Sequence, residues 1–377
     1  MSSKAASETG DPYLLTPGPL TTSKTVKQAM LHDYGSRDHD FIDLNQRVLK
    51  RLVAIVAGAD SHVAVPLQGS GTFVVEAMIG CFVPKEGKLL ICINGAYGHR
   101  IAKICQYYGR DYTVLESDEQ TPVNVDTLDQ TLTNDKAITH VVVVYCETTS
   151  GILNPIDDIA GVVEEHSRGL LIDAMSAFGA LPLNSKTTRF DAVVASSNKC
   201  LEGLPGMGFC IAREQALAQT EGNSPSLSLD LYDQWRAMEK NQQWRFTPPV
   251  QVLLGFDQAL NEFDEEGGVP GRGGRYRENC DILVSGMRTM GFNTLLPDEL
   301  QAPIIITFHM PNNPKFKFNE FYDSLRELGY VIYPGKLTIA DSFRIGCIGR
   351  LGRAEMEGAL AAIRATLNRF GIEGRID

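Results

Sequence analysis

The 377 residues are 43% hydrophobic and 21% charged, with a formal net charge of −11 and a pI of about 5.2. Such a balance belongs to a soluble globular chain long enough for a large buried core. It argues against a basic footprint for nucleic acid or anionic membrane, while a single arginine in a pocket still suffices for a small anion.

The N-terminal MSSKAASETGD is polar and has no apolar h-region, so it is not read as a secretory leader. Residues 1–20 are taken as an arm, mobile over the first dozen positions and turn-rich in LLTPGPL. A helix is predicted at TTSKTVKQAM with Thr22 or Ser23 as its N-cap. From about Val63 to Arg213, short apolar runs alternate with helical patterns such as IDDIAGVVEEHSR. The candidate strands are KLLICI (88–93), DYTVL (111–115), HVVVVYC (140–146), GLLIDA (169–174), FDAVVAS (190–196) and GFCIA (208–212). Their nearly continuous β-branched character suits strands covered on both faces, and the alternation predicts a mostly parallel sheet in a large domain over 21–265.

The polar, glycine-rich EEGGVPGRGGR (265–275) breaks this pattern and is read as the passage into a smaller domain over 266–377. That domain is expected to contain a helix from about 276 to 290, the strand PIIITF, a helix at NEFYDSLRELG, short strands in YVIYP and SFRIG, and a last helix, an α+β order. No apolar run approaches the roughly 20 residues that span a bilayer. Eight cysteines without a CxxC pair, several inside apolar runs, suit reduced buried thiols in a cytoplasmic protein.

Three features carry chemistry. PLQGSGTFVVEAMIG places Gly69, Ser70, Gly71 and Thr72 at the start of an amphipathic helix, where free N–H groups and the helix dipole favour a phosphate. It is neither a P-loop nor a complete GxGxxG. Asp173 ends the buried strand GLLID, and Lys199 follows the strand VVASSN before the turn signal LEGLPGMG. Each feature alone also has a structural reading: a helix start, a cap, a solvent-facing lysine. Together they give the order that pyridoxal phosphate requires: a phosphate cradle, a carboxylate for the pyridine nitrogen and an amine for the aldehyde.

From Tyr13 to about Phe370 the chain resembles the 2-aminoethylphosphonate–pyruvate transaminases, a family of the class V, fold-type I pyridoxal-phosphate enzymes. The matching stretches are LLTPGPLTTS, HDYGSRDHDF, LQGSGTFVVEA, NGAYGHR, CETTSGILNPI, IDAMSAFGA, SSNKCLEGLPGMGF, WRFTPPVQ and FRIGCIG. The resemblance implies an α/β fold with a mostly parallel sheet flanked by helices plus a smaller C-terminal α+β domain. It implies that Lys199 bonds the cofactor, that Asp173 keeps the pyridine nitrogen protonated, and that Tyr97 stacks on the ring. Ser70, Gly71 and Thr72 would hold the phosphate, with Ser196 and Thr148 as further polar contacts. Thr247 would reach the phosphate from the neighbouring subunit of a homodimer, and Arg344 would receive the anionic group of 2-aminoethylphosphonate or pyruvate. Tyr34 stands where a tryptophan is usual.

The alternative within the same class is an aminotransferase of the alanine–glyoxylate or serine–pyruvate type. From other classes, a catalytically silent binding protein conflicts with the presence of Lys199, Asp173 and the Ser70–Thr72 loop. The cluster His32, Asp33, Asp38, His39 and Asp40 lacks a metal-ligand spacing and is read as a polar turn, so no metal is expected. Cys200 is expected to pack behind the site rather than act as a nucleophile, and Trp235 and Trp244 are expected in packing or at an interface.

Overall fold

The apolar runs become the strands of one seven-stranded sheet. A computed structural model describes residues 4–335, 337 and 340–376. The strands are β1 (His62–Gly69), β2 (Lys88–Ile93), β3 (Asp111–Glu116), β4 (Ile138–Val144), β5 (Gly169–Asp173), β6 (Ala192–Ser196) and β7 (Gly206–Arg213). They lie in the order β1-β7-β6-β5-β4-β2-β3. All run parallel except β7, which is antiparallel to both β1 and β6.

The alternation along each strand feeds two cores. Leu90, Cys92, Val141 and Val143 enter one apolar cluster, while Leu89, Ile91, Ile93, Val142 and Val144 enter another on the opposite face. Helices cover both faces, which is why these strands read as unbroken apolar runs. Ser23 caps the helix Lys24–Ala29 by accepting the Val26 N–H, one of the two caps expected.

The stretch read as a break is instead helical. A helix runs from Gly268 to Thr289, directly after the helix Val250–Glu265. Pro270 falls in its first turn, where no intrahelical N–H bond is lost. Gly273 is set by tertiary contact: a Cβ there would come within 2.3 Å of the Ala180 carbonyl oxygen. Arg272 is fully buried, donating to Glu266 at 2.6 Å and to the Cys200 carbonyl at 2.6 Å. Arg275 bridges Glu266 and Glu202, and the Tyr276 hydroxyl donates to Glu202 at 2.6 Å. The polar residues thus bind this helix to the loop that follows Lys199.

A third apolar cluster gathers Leu15 with residues from Cys280 onward, including Phe292, Phe308, Phe316, Phe321 and Phe343. It packs beneath an antiparallel three-stranded sheet of Ile305–His309, Ser342–Gly346 and Tyr333–Pro334. The N-terminal segment is laid onto this part rather than left loose. Tyr13–Leu14 pairs in parallel with Tyr330–Val331, and the Ala5 N–H reaches the Leu328 carbonyl at 3.0 Å. Pairing at a free strand edge supplies backbone partners that its polar composition conceals. No helix among the described residues is long and apolar enough to cross a membrane.

Candidate active site

Open parallel sheets place ligands beyond the carboxyl ends of their strands, and the expected residues converge there. β1 ends at Gly69 and the chain turns at Ser70 into the helix Gly71–Phe82. Ser70 is the N-cap, yet its hydroxyl makes no capping bond to the first turn. Asp173 is the last residue of β5 and Ser196 the last of β6, with Lys199 three residues beyond. A cavity of about 300 Å³ is lined by Ser70, Gly71, Thr72, Tyr97, Asp173, Ser196 and Lys199, together with Arg100.

Burial sets the charges. Desolvation raises the Asp173 carboxyl to about 6, against a lowering from the Met175 N–H, which donates to its Oδ1 at 3.0 Å. Desolvation likewise brings the Lys199 ammonium down to about 8. Lys199 Nζ donates to the Pro17 carbonyl at 2.8 Å and lies 3.4 Å from that of Gly18. Among the described residues the Ser196 hydroxyl is buried without a hydrogen-bond partner. Such a group is costly unless a further partner enters the cavity.

Tyr97 opens into the cavity from the start of the helix Ala96–Tyr108. Glu147, fully buried, fixes that helix start: its Oε2 accepts the Tyr97 N–H at 3.1 Å and its Oε1 accepts the Thr149 N–H at 3.0 Å. A carboxylate is favoured beside the positive end of a helix. One turn on, Arg100 donates to the Thr72 hydroxyl at 3.1 Å and stacks 4.7 Å over the Tyr97 ring.

Three expected residues do not line this cavity. Thr148 is buried beside it, and its carbonyl accepts from Arg344 Nη1 at 2.7 Å. Arg344 is 2% exposed, on the strand face opposite Phe343 and Ile345, which both enter the third core. It also donates through Nε to the Pro334 carbonyl at 3.1 Å and lies 5.0 Å from the centre of the Tyr333 ring. Desolvation lowers its pKa, and its charge in turn helps to lower that of Lys199. Among the described residues no carboxylate forms an ion pair with it. Thr247 is exposed next to the exposed Phe246, away from the cavity of its own chain.

Cys200 does pack behind the site, with its sulfur 3.2 Å from the Ser176 carbonyl and its thiol pushed by burial up to about 12. Trp244 donates to Asn45 and Trp235 is buried, both in packing roles. Sequence reasoning passed over Arg100 and Glu147, although both lie in quoted motifs. The available signal was the three-residue spacing of Tyr97 and Arg100, which puts them on one helix face.

Pyridoxal phosphate fits this donor set. The uncapped helix start would accommodate a phosphate, the buried Asp173 a ring nitrogen, the Ser196 hydroxyl a polar substituent, and Lys199 an aldehyde.

The Aminotransferase class-V family profile matches residues 30–322. The 2-aminoethylphosphonate–pyruvate transaminase 1 of Polaromonas sp. is 52% identical over 368 residues, covering 97% of this chain and 98% of its own. The 2-aminoethylphosphonate–pyruvate transaminase of Pseudomonas aeruginosa is 51% identical over 361 residues, 96% of this chain and 97% of its own. Among solved structures, the pyridoxamine–pyruvate aminotransferase of Mesorhizobium loti superposes with a TM-score of 0.89 at 24% identity, covering 98% of this chain and 95% of that one. The ureidoglycine–glyoxylate aminotransferase of Bacillus subtilis gives 0.88 at 22% identity, covering 97% and 95%. These two likenesses establish the fold, and it is the α/β architecture expected.

Proposed function

We infer the reaction from the premise that the chain belongs to the class V aminotransferase family: it transfers the amino group of 2-aminoethylphosphonate to pyruvate, giving phosphonoacetaldehyde and alanine. The observation that carries a transaminase reading is Lys199 and Asp173 facing one cavity beside the uncapped helix start at Ser70. The choice of donor is supported by relatives of that name at about half identity across nearly the whole chain.

Pyridoxal phosphate, when bound, supplies an aldehyde for the amine and a ring that accepts negative charge from the reacting carbon. Everything else falls to the chain's own residues. Ser70, Gly71 and Thr72 hold the phosphate with backbone N–H groups and hydroxyls. Asp173 holds a proton at the ring nitrogen; a positive partner there draws its raised pKa back toward the ionised form. Tyr97 covers the ring, and Ser196 donates to its polar edge.

Lys199 Nζ serves twice, first as the attachment point and then as the base that moves the proton from the carbon bearing the donor's amino group. Its desolvation supports this, because an amine held near 8 is substantially neutral in mildly alkaline solution. Arg344 receives phosphonate or carboxylate with a planar fork. Thr148 contributes through its carbonyl, which holds that guanidinium in place.

We propose further that the working form is a cytoplasmic homodimer in which Thr247 completes the phosphate site of its partner. Exposure of Thr247 and Phe246 outside their own cavity supports this. The division into a cofactor-binding part to residue 265 and a small part from 266 belongs to the same proposal.

The test is a coupled assay of alanine formation from pyruvate with 2-aminoethylphosphonate, serine and other amines as donors. Turnover led by 2-aminoethylphosphonate is expected. Turnover led by serine, or with glyoxylate and alanine instead, would move the chain to another branch of the class.

A further inference from the structure

Two cationic side chains, Lys199 and Arg100, line the cavity. The proposed function commits Lys199 to covalent attachment, which leaves Arg100 as the positive group beside the cofactor. The groups already assigned to the phosphate are neutral hydroxyls and N–H groups. A phosphomonoester carries nearly two negative charges at neutral pH, and taking such charge out of water is costly without a counter-charge.

Arg100 has the geometry to meet that need. It comes from the helix Ala96–Tyr108, whose start is clamped by Glu147, so its backbone is fixed relative to Tyr97. Its Nη1 donates to the hydroxyl of Thr72, the second residue of the helix that begins the phosphate cradle. The Tyr97 ring supports the guanidinium plane from one side at 4.7 Å. Among the described residues no carboxylate forms an ion pair with it. Its hydrogen bond to Thr72 uses one nitrogen, and a guanidinium carries five N–H donors. Its field also reaches the cavity floor, where it lowers both Asp173 and Lys199.

We propose that Arg100 is the counter-charge for the cofactor's phosphate, sharing the anion with Thr72, while Arg344 serves the substrate. The assignment rests on the cofactor reading above. It makes Arg100 a binding residue with no proton to transfer, since a guanidinium stays charged throughout. The contact to Thr72 favours the cofactor's anion over the substrate's, because Thr72 belongs to the cradle and the buried Arg344 already supplies a second, separate guanidinium.

Equilibrium binding to the cofactor-free protein separates the alternatives. Pyridoxal phosphate and its dephosphorylated counterpart pyridoxal would be titrated by absorbance and fluorescence quenching against the unmodified chain, Arg100→Met and Arg100→Lys. Arg100→Gln stands in if Arg100→Met fails to fold by thermal melting, because an amide can still donate to Thr72. Pyridoxal phosphate affinity should fall at least tenfold in Arg100→Met and by less in Arg100→Lys, while pyridoxal affinity changes less than twofold. Inorganic phosphate should compete with pyridoxal phosphate in the unmodified chain and much less in Arg100→Met. Equal losses for both ligands would overturn the assignment, because Arg100 would then act by supporting Tyr97. Unchanged cofactor affinity with a raised KM for 2-aminoethylphosphonate would overturn it in favour of the substrate anion. An unmodified chain that binds neither ligand would instead bring down the cofactor reading itself, whatever Arg100 does.

Discussion

Gly18 leaves no room for a side chain beside Lys199: a Cβ on Gly18 would stand 2.6 Å from Lys199 Cδ and 2.7 Å from Nζ. Gly18 also has φ +116°, a backbone region that L residues rarely adopt. Gly18→Ala therefore meets two penalties, backbone strain of about 1–3 kcal/mol and displacement of the amine from the Pro17 carbonyl. A lower melting temperature and slower incorporation of pyridoxal phosphate into the cofactor-free protein are expected. A variant with unchanged melting and cofactor uptake would show that the lysine can be held equally well without this contact.

Lys199 itself should be the attachment point. Borohydride reduction of the loaded protein should fix the cofactor on the peptide that contains Lys199, as read by mass spectrometry. Lys199→Ala should retain the fold, because the amine it removes is buried at a desolvation cost and, among the described residues, held by backbone carbonyls. Loss of a positioned general base costs about 10²–10⁴-fold, and loss of the attachment point adds to that. Labelling at any other lysine would refute the assignment.

Asp173 makes the cofactor-free protein's stability depend on pH. Its carboxyl lies near 6 in the folded chain against an ordinary 3.8, so the folded state binds the extra proton between those values. Stability is then greatest below about pH 4 as far as this group is concerned, and falls as pH rises through 6. Asp173→Asn removes that loss and should stabilise the cofactor-free chain above pH 6 by on the order of 1–3 kcal/mol, with the gain vanishing in acid. The same variant should lose transaminase activity. Urea unfolding at pH 4.5 and 7.5 measures the first effect, and a gain that is the same at both pH values would sink it.

The central strands were legible because Leu89–Ile93 and Val141–Val144 send alternate residues into two different cores, so nearly every position is apolar. β1 was not among the expected strands. It sits at the sheet edge, carries Pro66, and reads less apolar than the interior strands. The reversal of β7 has no sequence signal, since an antiparallel strand buried on both faces shows the same run. Only the start of the helix Gly268–Thr289, ahead of the helix expected from about 276, was missed, because Gly273 answers to Ala180 and Arg272 and Arg275 to Glu202 and Glu266, partners that only the folded chain supplies. At the site, Asp173 and Lys199 were legible from their places just beyond apolar runs. Arg100 was not, because its three-residue spacing from Tyr97 is the one signal it carries, and that signal gains meaning only when the fold sets Thr72 beside it.

Thr247 gives a test of assembly that does not depend on dilution alone. If each Thr247 completes the site of the partner subunit, Thr247→Ala in one subunit and Lys199→Ala in the other damage the same site of a mixed dimer. One site then holds both defects, and the other combines an intact Lys199 with an intact Thr247. Mixing and reassembling the two variants should restore activity toward a quarter of the unmodified level, about half of the dimers being mixed with one good site each. Activity no greater than the sum of the separate variants would place Thr247 outside the shared site.

Arg344 is the anchor whose removal should affect both substrates. It sits in SFRIG between Phe343 and Ile345, and its guanidinium is held by the Thr148 and Pro334 carbonyls and by the Tyr333 ring. Carbonyls orient the group without neutralising it, so a full positive charge is kept in a desolvated setting where an incoming anion gains most. Charge-assisted hydrogen bonds contribute about 1.5–3 kcal/mol, so Arg344→Ala should lower kcat/KM at least about tenfold for 2-aminoethylphosphonate and for pyruvate alike. Arg344→Lys keeps the charge but lacks the fork that spans both carbonyls, and should recover only part of the loss. Cofactor affinity, measured on the same variants, should stay near normal, because Arg344 does not line the cavity that holds Ser70 and Lys199. Near-normal efficiency with 2-aminoethylphosphonate in Arg344→Ala would assign phosphonate recognition to another residue, and a loss confined to pyruvate would divide the two anions between two sites.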